Sequence, residues 1–363
     1  MENIQFQIYD YMETNEVLES DDDEDDSPNE KLGKYIIHTF GRTEDGKSVY
    51  CKVTNYRPYF YILLPDKVQN NSDNEMNRIS EYMYNYLVGK ENKKVFTKFK
   101  QSLKSIEIVK LKKSEGFTND KLYYFAKLVF TNSEGMRKYR NLFDYNNFSF
   151  PIISELSKPY KYKLYEANLP PMFRCFHIKN ISGCSWVETT KYKLIDDETY
   201  KESLCDIELI VNWKYLNPIT KDFNAPLRIA SFDIECTSID GAFPQARRKG
   251  DQIIQIGVTY TYLGQNLPYR SYIGCLNKTS SIDGVIVNSC DTEKELLLDF
   301  LNEINANDCD IITGYNIFFF DEKYMYDRCQ LEDINIDLEM SYMSKLKNYK
   351  CIFKEIKLAS SAL

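Results

Sequence analysis

Leu227-Arg228-Ile229-Ala230-Ser231-Phe232-Asp233-Ile234-Glu235-Cys236 is the stretch whose reading decides the fold. Its β-branched and aromatic residues predict a strand over 227–235. Successive side chains of a strand point to opposite faces, so Asp233 and Glu235 share one face, about 7 Å apart. Their neighbours Leu227, Ile229, Ala230, Phe232 and Ile234 read as core. Two carboxylates side by side in such a strand repel, and burying unpaired charge is expensive. A divalent cation answers both problems, and hard oxygen donors suit Mg²⁺ or Mn²⁺. A strand end with two solvated acids fits the same pattern.

A second stretch, Gly314-Tyr315-Asn316-Ile317-Phe318-Phe319-Phe320-Asp321, falls between a strand predicted over 310–313 and a helix starting at about 321. Asp321 opens that helix, where a carboxylate is favoured; an ordinary helix-capping role also fits. Three consecutive phenylalanines after Asn316 make an apolar surface on which a base could stack. Around these motifs the pattern predicts strands over 252–262 and 269–276. A helix is predicted over 292–305, with a capping box from Thr292 and Glu295 and a buried stripe of Leu296, Leu297, Phe300, Leu301 and Ile304. Three strands, a helix, a strand and a helix is the element order of an RNase H-like α/β domain.

The upstream region reads as α+β. Strands are predicted over 6–11, 35–40, 48–53, 57–64 and 122–130. Asp45-Gly46 marks a hairpin turn, and Pro58 starts its strand where no ladder donor is lost. Met76, Ile79, Met83 and Leu87 give a helix over 74–88, and a shorter helix covers 133–143. Three divisions follow: 1–33, a segment with an acidic disordered insertion; 34–225; and 226–363.

The 363 residues include 43% apolar, which excludes a disordered chain. No apolar run approaches a membrane span. The ten cysteines contain no C-x-x-C pair, which argues against zinc ribbons and thioredoxin chemistry. His38 and His177 are the only histidines, too few for a His-rich metal site, and each reads as structural. No glycine-rich phosphate loop is present, which disfavours kinases, P-loop NTPases and nicotinamide enzymes.

The net charge of −8 is unevenly spread. Residues 1–30 hold twelve acids and no base, 31–226 carry +10 and 227–363 carry −6. The run 19–30 repels itself and reads as solvated, with contact to a basic partner as the sharper reading. The positive middle, interleaved with Tyr and Phe as in Lys93–Lys100, suits phosphate contact and base stacking, and also suits a solvated lysine face.

Together these motifs carry a resemblance. Asp233-Ile234-Glu235 resembles the first proofreading-exonuclease motif of family B DNA polymerases, and Asn316-x-x-x-Phe320-Asp321 the second. The flanks Gly241-Ala242-Phe243-Pro244 and Gln252-Ile253-Ile254-Gln255-Ile256 are similar to the delta-type subgroup. Upstream, Pro58-Tyr59-Phe60-Tyr61, Tyr165-Glu166-Ala167-Asn168-Leu169-Pro170 and Gly183-Cys184-Ser185-Trp186-Val187-Glu188 resemble that family's N-terminal domain, and Lys345-Leu346-Lys347 and Ser360-Ser361 also fit. The similarity is collinear over about 35–363. A composition rich in Asn, Lys, Ile and Tyr suits an AT-rich genome: a giant nucleocytoplasmic DNA virus, mimivirus-like, is the expected source, and an AT-rich protist the second.

The resemblance implies an α+β N-terminal domain of family B DNA polymerases followed by a partial RNase H-like (DnaQ-like 3′-5′ exonuclease) α/β domain. It implies two Mg²⁺ ions, or Mn²⁺, with Asp233 bridging both, Glu235 holding the ion that activates water and Asp321 the other. Asn316 and Phe320 would grip a single-stranded 3′ end. The implied partners are primer-template DNA, the palm, fingers and thumb in cis or as a split partner, and a sliding clamp, with no membrane. The implied location is intracellular: a cytoplasmic virus factory, or the nucleus of a cell. The family's third exonuclease motif, with a further aspartate, is expected beyond Leu363, so the chain by itself is expected to be inactive. His177 stands where an acid is expected. A stand-alone DEDD-type exonuclease and a non-catalytic nucleic-acid-binding subunit of a split polymerase are the alternatives.

Overall fold

The structure, a computed structural model, describes residues 3–17, 33–89, 97–145 and 162–354. The acidic run 19–30, Lys93 to Phe96 and Ser360-Ser361 lie outside the described residues. In chain order the upstream strands are β1 (Ile4–Glu16), β2 (Lys34–Arg42), β3 (Ser48–Thr54), β4 (Tyr59–Leu63), β5 (Leu103–Lys112), β6 (Leu122–Phe130), β7 (Leu164–Tyr165), β8 (Trp186–Thr189), β9 (Lys193–Leu194), β10 (Ile207–Asn212) and β11 (Asn217–Ile219). Among them lie helices α1 (Asp73–Val88), α2 (Thr97–Lys100), α3 (Ser133–Tyr145) and α4 (Pro171–Lys179). Then come β12 (Arg228–Cys236), β13 (Ile253–Tyr262), β14 (Arg270–Leu276), β15 (Ile286–Cys290), α5 (Glu293–Ala306), β16 (Ile311–Thr313), α6 (Asp321–Cys329) and α7 (Asp337–Met340).

Three sheets result. One has seven strands in the order β11-β8-β1-β2-β3-β10-β9, and one has four, β5-β6-β4-β7. The third, β15-β14-β13-β12-β16, is antiparallel at its centre and parallel at both ends. The hairpin at Asp45-Gly46 forms, with Gly46 at φ +86°, where a side chain is strained. Helix α1 begins at a reciprocal Ser72–Glu75 capping box and buries Met76, Ile79, Met83 and Leu87, the four positions that its spacing selects. At α5, Thr292 accepts from the Glu295 amide, but the Glu295 carboxylate turns to the Asp291 amide, so the expected box closes one residue upstream.

Other features depart from the sequence pattern. The strand expected over 6–11 is a thirteen-residue β1 that pairs with both β2 and β8. The upstream region holds two sheets with separate cores. Strands β5, β7 to β11 and β15 lie outside those that the sequence pattern predicts. The lysines of β5 look like a solvated charge run, and short apolar runs such as β10 have no period to betray them.

The upstream body is joined to the five-stranded sheet through a buried cation. Arg42, fully buried at the end of β2, donates to both carboxylate oxygens of Asp310 (2.6 and 2.7 Å) and to the Asp308 carbonyl (2.8 Å). Lys345 adds bonds of 2.8 Å to Asp308 and to Asp310. Leu346 then packs against Phe40, Tyr50 and Cys205. Burial alone would raise the Asp310 carboxyl, but Arg42 and Lys345 hold it below the usual aspartate range.

Removing one partner of a buried pair costs about 3–5 kcal/mol. Arg42→Met should therefore lower unfolding stability by about that amount at neutral pH, read by denaturant titration. Because the Asp310 carboxyl is depressed on folding, its contribution is complete above the unfolded value of about 3.9 and is lost as pH falls through the folded value. The acid limb of the stability curve should be shallower in Arg42→Met than in the parent.

Candidate active site

Strand β12 alternates as the sequence requires. Phe232 and Ile234 face the core beside Phe300, while Asp233 and Glu235 are exposed. Asp233 lies opposite Gly257 of β13, and Glu235 opposite Gln255. An added Cβ at Gly257 would meet nothing within 4 Å, so the space before Asp233 stays open.

On its other side β12 pairs in parallel with β16, but only from Ile229 to Ser231, because β16 stops at Thr313. The edge of β12 is therefore bare at Ile234. Asp321, the first residue of α6 and 3% exposed, fills that gap: its Oδ1 accepts the Ile234 amide at 3.2 Å. The carboxylate thus caps a strand edge instead of its own helix. Burial first, then the negative fields of Asp233 and Glu235, raise the Asp321 carboxyl above the ordinary aspartate range, against the lowering pull of the Ile234 amide.

The three acids predicted from the sequence thus share one neighbourhood, Asp321 bonded to the amide that separates the other two. Among the described residues, no group of three His, Cys, Asp or Glu side chains is gathered closely enough to hold a metal ion as it stands. The set is open, two solvated carboxylates and one buried. Its donors are hard oxygens, and an acid raised by burial and then by two like charges is one that a cation relieves, so the residues fit a divalent ion.

The loop between β16 and α6 is pressed onto β12. A Cβ on Gly314 would lie 2.4 Å from the Phe232 carbonyl oxygen, which only a glycine permits. Asn316 is exposed at φ +58°. Phe320 is half-buried, its ring 5.2 Å from Phe243 and 5.3 Å from Tyr324. Tyr315, Phe318, Phe319 and Phe243 are 72–93% exposed, an aromatic surface beside the acids.

The residues that frame this site escaped the sequence reading. Asp251, fully buried, accepts the amides of Ile239 and Gln245 and the Arg248 guanidinium, which folds the loop carrying Phe243. Arg328 of α6 forms a buried pair with Glu293 and donates to the carbonyls of Ala246 and Arg248. Glu293 also accepts the Ile253 amide. The one available signal was Arg328, a charge two turns after Asp321 on an otherwise buried helix face. Arg247-Arg248-Lys249, a candidate for phosphate contact, is engaged in ion pairs with Asp327, with Asp240 and Asp251, and with Asp333. His177 is exposed on α4.

Residues 162–362 match the family model for the exonuclease domain of DNA polymerase family B. The chain belongs to this family. It is similar to a DNA polymerase of Acanthamoeba polyphaga mimivirus, 37% identical over 327 residues that cover 89% of this chain and 18% of that one. It is also similar to the DNA polymerase delta catalytic subunit of Dictyostelium discoideum, at 29% over 341 residues, 93% of this chain and 30% of that one. The fold resembles the family B DNA polymerase of the hyperthermophilic archaeon Pyrobaculum calidifontis, with TM-score 0.53 and 18% identity over 90% of this chain and 32% of that one. The chain thus spans less than a third of the length of each. The described residues contain no helix long and apolar enough to cross a membrane.

Asp321→Ala orphans the buried Ile234 amide, at a cost of about 1–3 kcal/mol. Hydrogen exchange at Ile234 should accelerate in Asp321→Ala and stay near the parent rate in Asp321→Asn, which keeps an acceptor oxygen. Equal rates in all three proteins would remove Asp321 from the strand edge.

Proposed function

We propose that this chain is part of a replicative DNA-directed DNA polymerase and joins a template-binding N-terminal domain, over 34–225, to a 3′-5′ proofreading exonuclease domain of RNase H-like type, beginning near residue 226. The observation that carries the reading is the hydrogen bond from Ile234 to Asp321, which draws a buried carboxylate to the strand bearing Asp233 and Glu235. Three antiparallel strands flanked by a parallel fourth, with α5 and α6 packed alongside, support the RNase H-like assignment.

Asp233, Glu235 and Asp321 would hold two divalent ions, Mg²⁺ or Mn²⁺. Bound there, such ions lower the pKa of an attacking water and stabilise the departing 3′ oxygen. The chain itself supplies orientation. Asp321 is fixed by the Ile234 amide, so one donor is preorganised while two remain solvated and free to adjust. Asn316 and Phe320 grip the terminal nucleotides, the aromatic ring adding about 1–3 kcal/mol by stacking. Gly314 keeps that loop against β12, so the gripped end lies beside the acids. A mispaired terminus unstacks more readily, reaches the loop more often and is removed. The partners are primer-template DNA, the remaining polymerase domains and a sliding clamp. The place of action is a cytoplasmic virus factory if the source is viral, and the nucleus if it is cellular.

The full polymerase should degrade mismatched primer ends in Mg²⁺, and Asp233→Ala with Glu235→Ala should abolish this while sparing primer extension. Single-turnover assays on a mismatched primer read both. Degradation that persists undiminished in the double variant rejects the metal-holding role.

A further inference from the structure

Helix α6 carries more than Asp321. Asp321, Tyr324 and Arg328 stand at i, i+3 and i+7, on one face of the helix, and all three are buried. Asp321 accepts the Ile234 amide of β12. One turn on, the Tyr324 hydroxyl donates to the Asp251 carbonyl at 2.9 Å. A further turn on, Arg328, 1% exposed, divides its planar fork between two sides. Its Nε and Nη2 donate to the two carboxylate oxygens of Glu293, and its Nη1 donates to the carbonyls of Ala246 (2.9 Å) and Arg248 (3.1 Å). The carboxylate side joins α6 to the starts of α5 and β13, since Glu293 also accepts the Ile253 amide. The carbonyl side reaches the connection between β12 and β13, residues 237–252.

That connection is a loop built on its own polar contacts. Thr237 and Gln252 join its two feet. Inside it, Asp251 gathers the amides of Ile239 and Gln245 and the Arg248 guanidinium. Its outer residues Ile239 and Phe243 are exposed. Two surface pairs, Arg247 with Asp327 and Lys249 with Asp333, also leave the loop, and exposed pairs of this kind hold weakly. Among the described residues, its buried hydrogen bonds from α6 are those of the Tyr324 hydroxyl and the Arg328 guanidinium. They bear on the site because the Phe243 ring of the loop lies 5.2 Å from Phe320, the residue that precedes Asp321. The spacing of the two rings is therefore set by how the loop sits on α6. The acids are held otherwise, Asp233 and Glu235 by β12 and Asp321 by the Ile234 amide.

We propose that Arg328 is a positioning residue. By holding the Ala246 and Arg248 carbonyls it fixes the Phe243 loop against α6, and with it the width of the aromatic cleft through which a 3′ end reaches the three acids. Arg328 itself, buried beneath the loop, touches neither the nucleic acid nor those acids. Without its carbonyl bonds the loop and Phe243 drift from Phe320 while the acids keep their places. The end is then held less well, and is cleaved at nearly the same rate once held. A loss of binding that is equal in ground and transition states raises the half-saturating concentration and spares the maximal rate. The role presupposes the exonuclease reading of this site, and hydrogen exchange tests the clasp without any activity.

Two variants of the full polymerase separate the sides of the fork. Arg328→Lys keeps a charge against Glu293, but a single ammonium cannot span a carboxylate and two carbonyls. Glu293→Gln removes the carboxylate charge and leaves both carbonyl bonds. In Arg328→Lys, hydrogen exchange at the Gln245, Arg248 and Asp251 amides should accelerate, and exchange at Ile234 should stay at the parent rate. On a single-stranded 3′ end in Mg²⁺, the polymerase concentration that gives half the maximal single-turnover excision rate should rise roughly tenfold, with the maximal rate within about threefold of the parent and the Mg²⁺ midpoint unchanged. In Glu293→Gln, loop exchange and half-saturation should both stay within about twofold of the parent. Unchanged loop exchange in Arg328→Lys, equal effects of the two variants, or a change in maximal rate or Mg²⁺ midpoint beyond these limits overturns the positioning role. If the parent excises nothing, the exonuclease reading fails and the exchange result alone judges the clasp. Should Arg328→Lys lose primer extension, exchange in the parent decides. Release of Gln245, Arg248 and Asp251 together with the amides of α6 supports the clasp, and release of the loop well ahead of α6 overturns it.

Discussion

The carboxylate of Asp310 is the constraint on which the geometry of the chain depends. One of its oxygens accepts both from Arg42 and from the Arg228 amide, the first residue of β12, and the Asp310 amide returns a bond to the Arg228 carbonyl. A single buried anion thereby joins the last residue of β2 to the start of the strand that bears Asp233. It also sets where β16 begins beside β12, and so where β16 ends and leaves Ile234 uncovered. Ion pairs this deep lose much of their attraction to desolvation. Their value here is geometric: a charge that cannot be left alone in the interior permits few alternative dockings. Lys345 closes the same cluster from the far end of the described chain, so the five-stranded sheet is clasped to the seven-stranded one from both sides.

The acids beyond that clasp are held by a different device. A strand that outruns its neighbour exposes backbone donors, and proteins seldom leave such a donor unpaired in the interior. Asp321 answers that demand and brings a carboxylate to the strand that bears Asp233 and Glu235 by doing so. Its partners are less constrained, since Asp233 and Glu235 are set only by the alternation of β12. Behind them, Glu293 and Arg328 join the starts of α5 and β13 to α6 and the 246–248 backbone. The face that carries the two exposed acids is therefore loosely held, and the layer beneath it is a lattice of buried polar contacts.

Charge and aromatic content are interleaved throughout the upstream body. Many of its lysines lie over tyrosine rings, as Lys113 does over Tyr123 at 3.9 Å and Lys127 over Tyr59 at 4.6 Å. Such contacts hold a cation at the surface without neutralising it; Lys127 also pairs with Glu107 at 3.1 Å. The arginines and lysine at 247–249 each meet an aspartate: Arg248 reaches the buried Asp251, while Arg247 and Lys249 form exposed surface pairs.

The sequence by itself determined what depends on short range. The alternation of β12, the stripe of α1, the turn at Asp45-Gly46 and the pairing of Asp233 with Glu235 on one face follow from local periodicity and backbone preference, which need no knowledge of distant residues. Asp321 was legible as an acid at a helix start, but its true partner, an amide 87 positions earlier, was not. The same limit hid Arg42 with Asp310, 268 positions apart, and Glu293 with Arg328. It also hid the lateral order of β4 to β7. Only the tertiary structure decided these, because a buried charge or an open strand edge takes its partner from whatever the packed chain brings near, and sequence spacing carries no record of that choice.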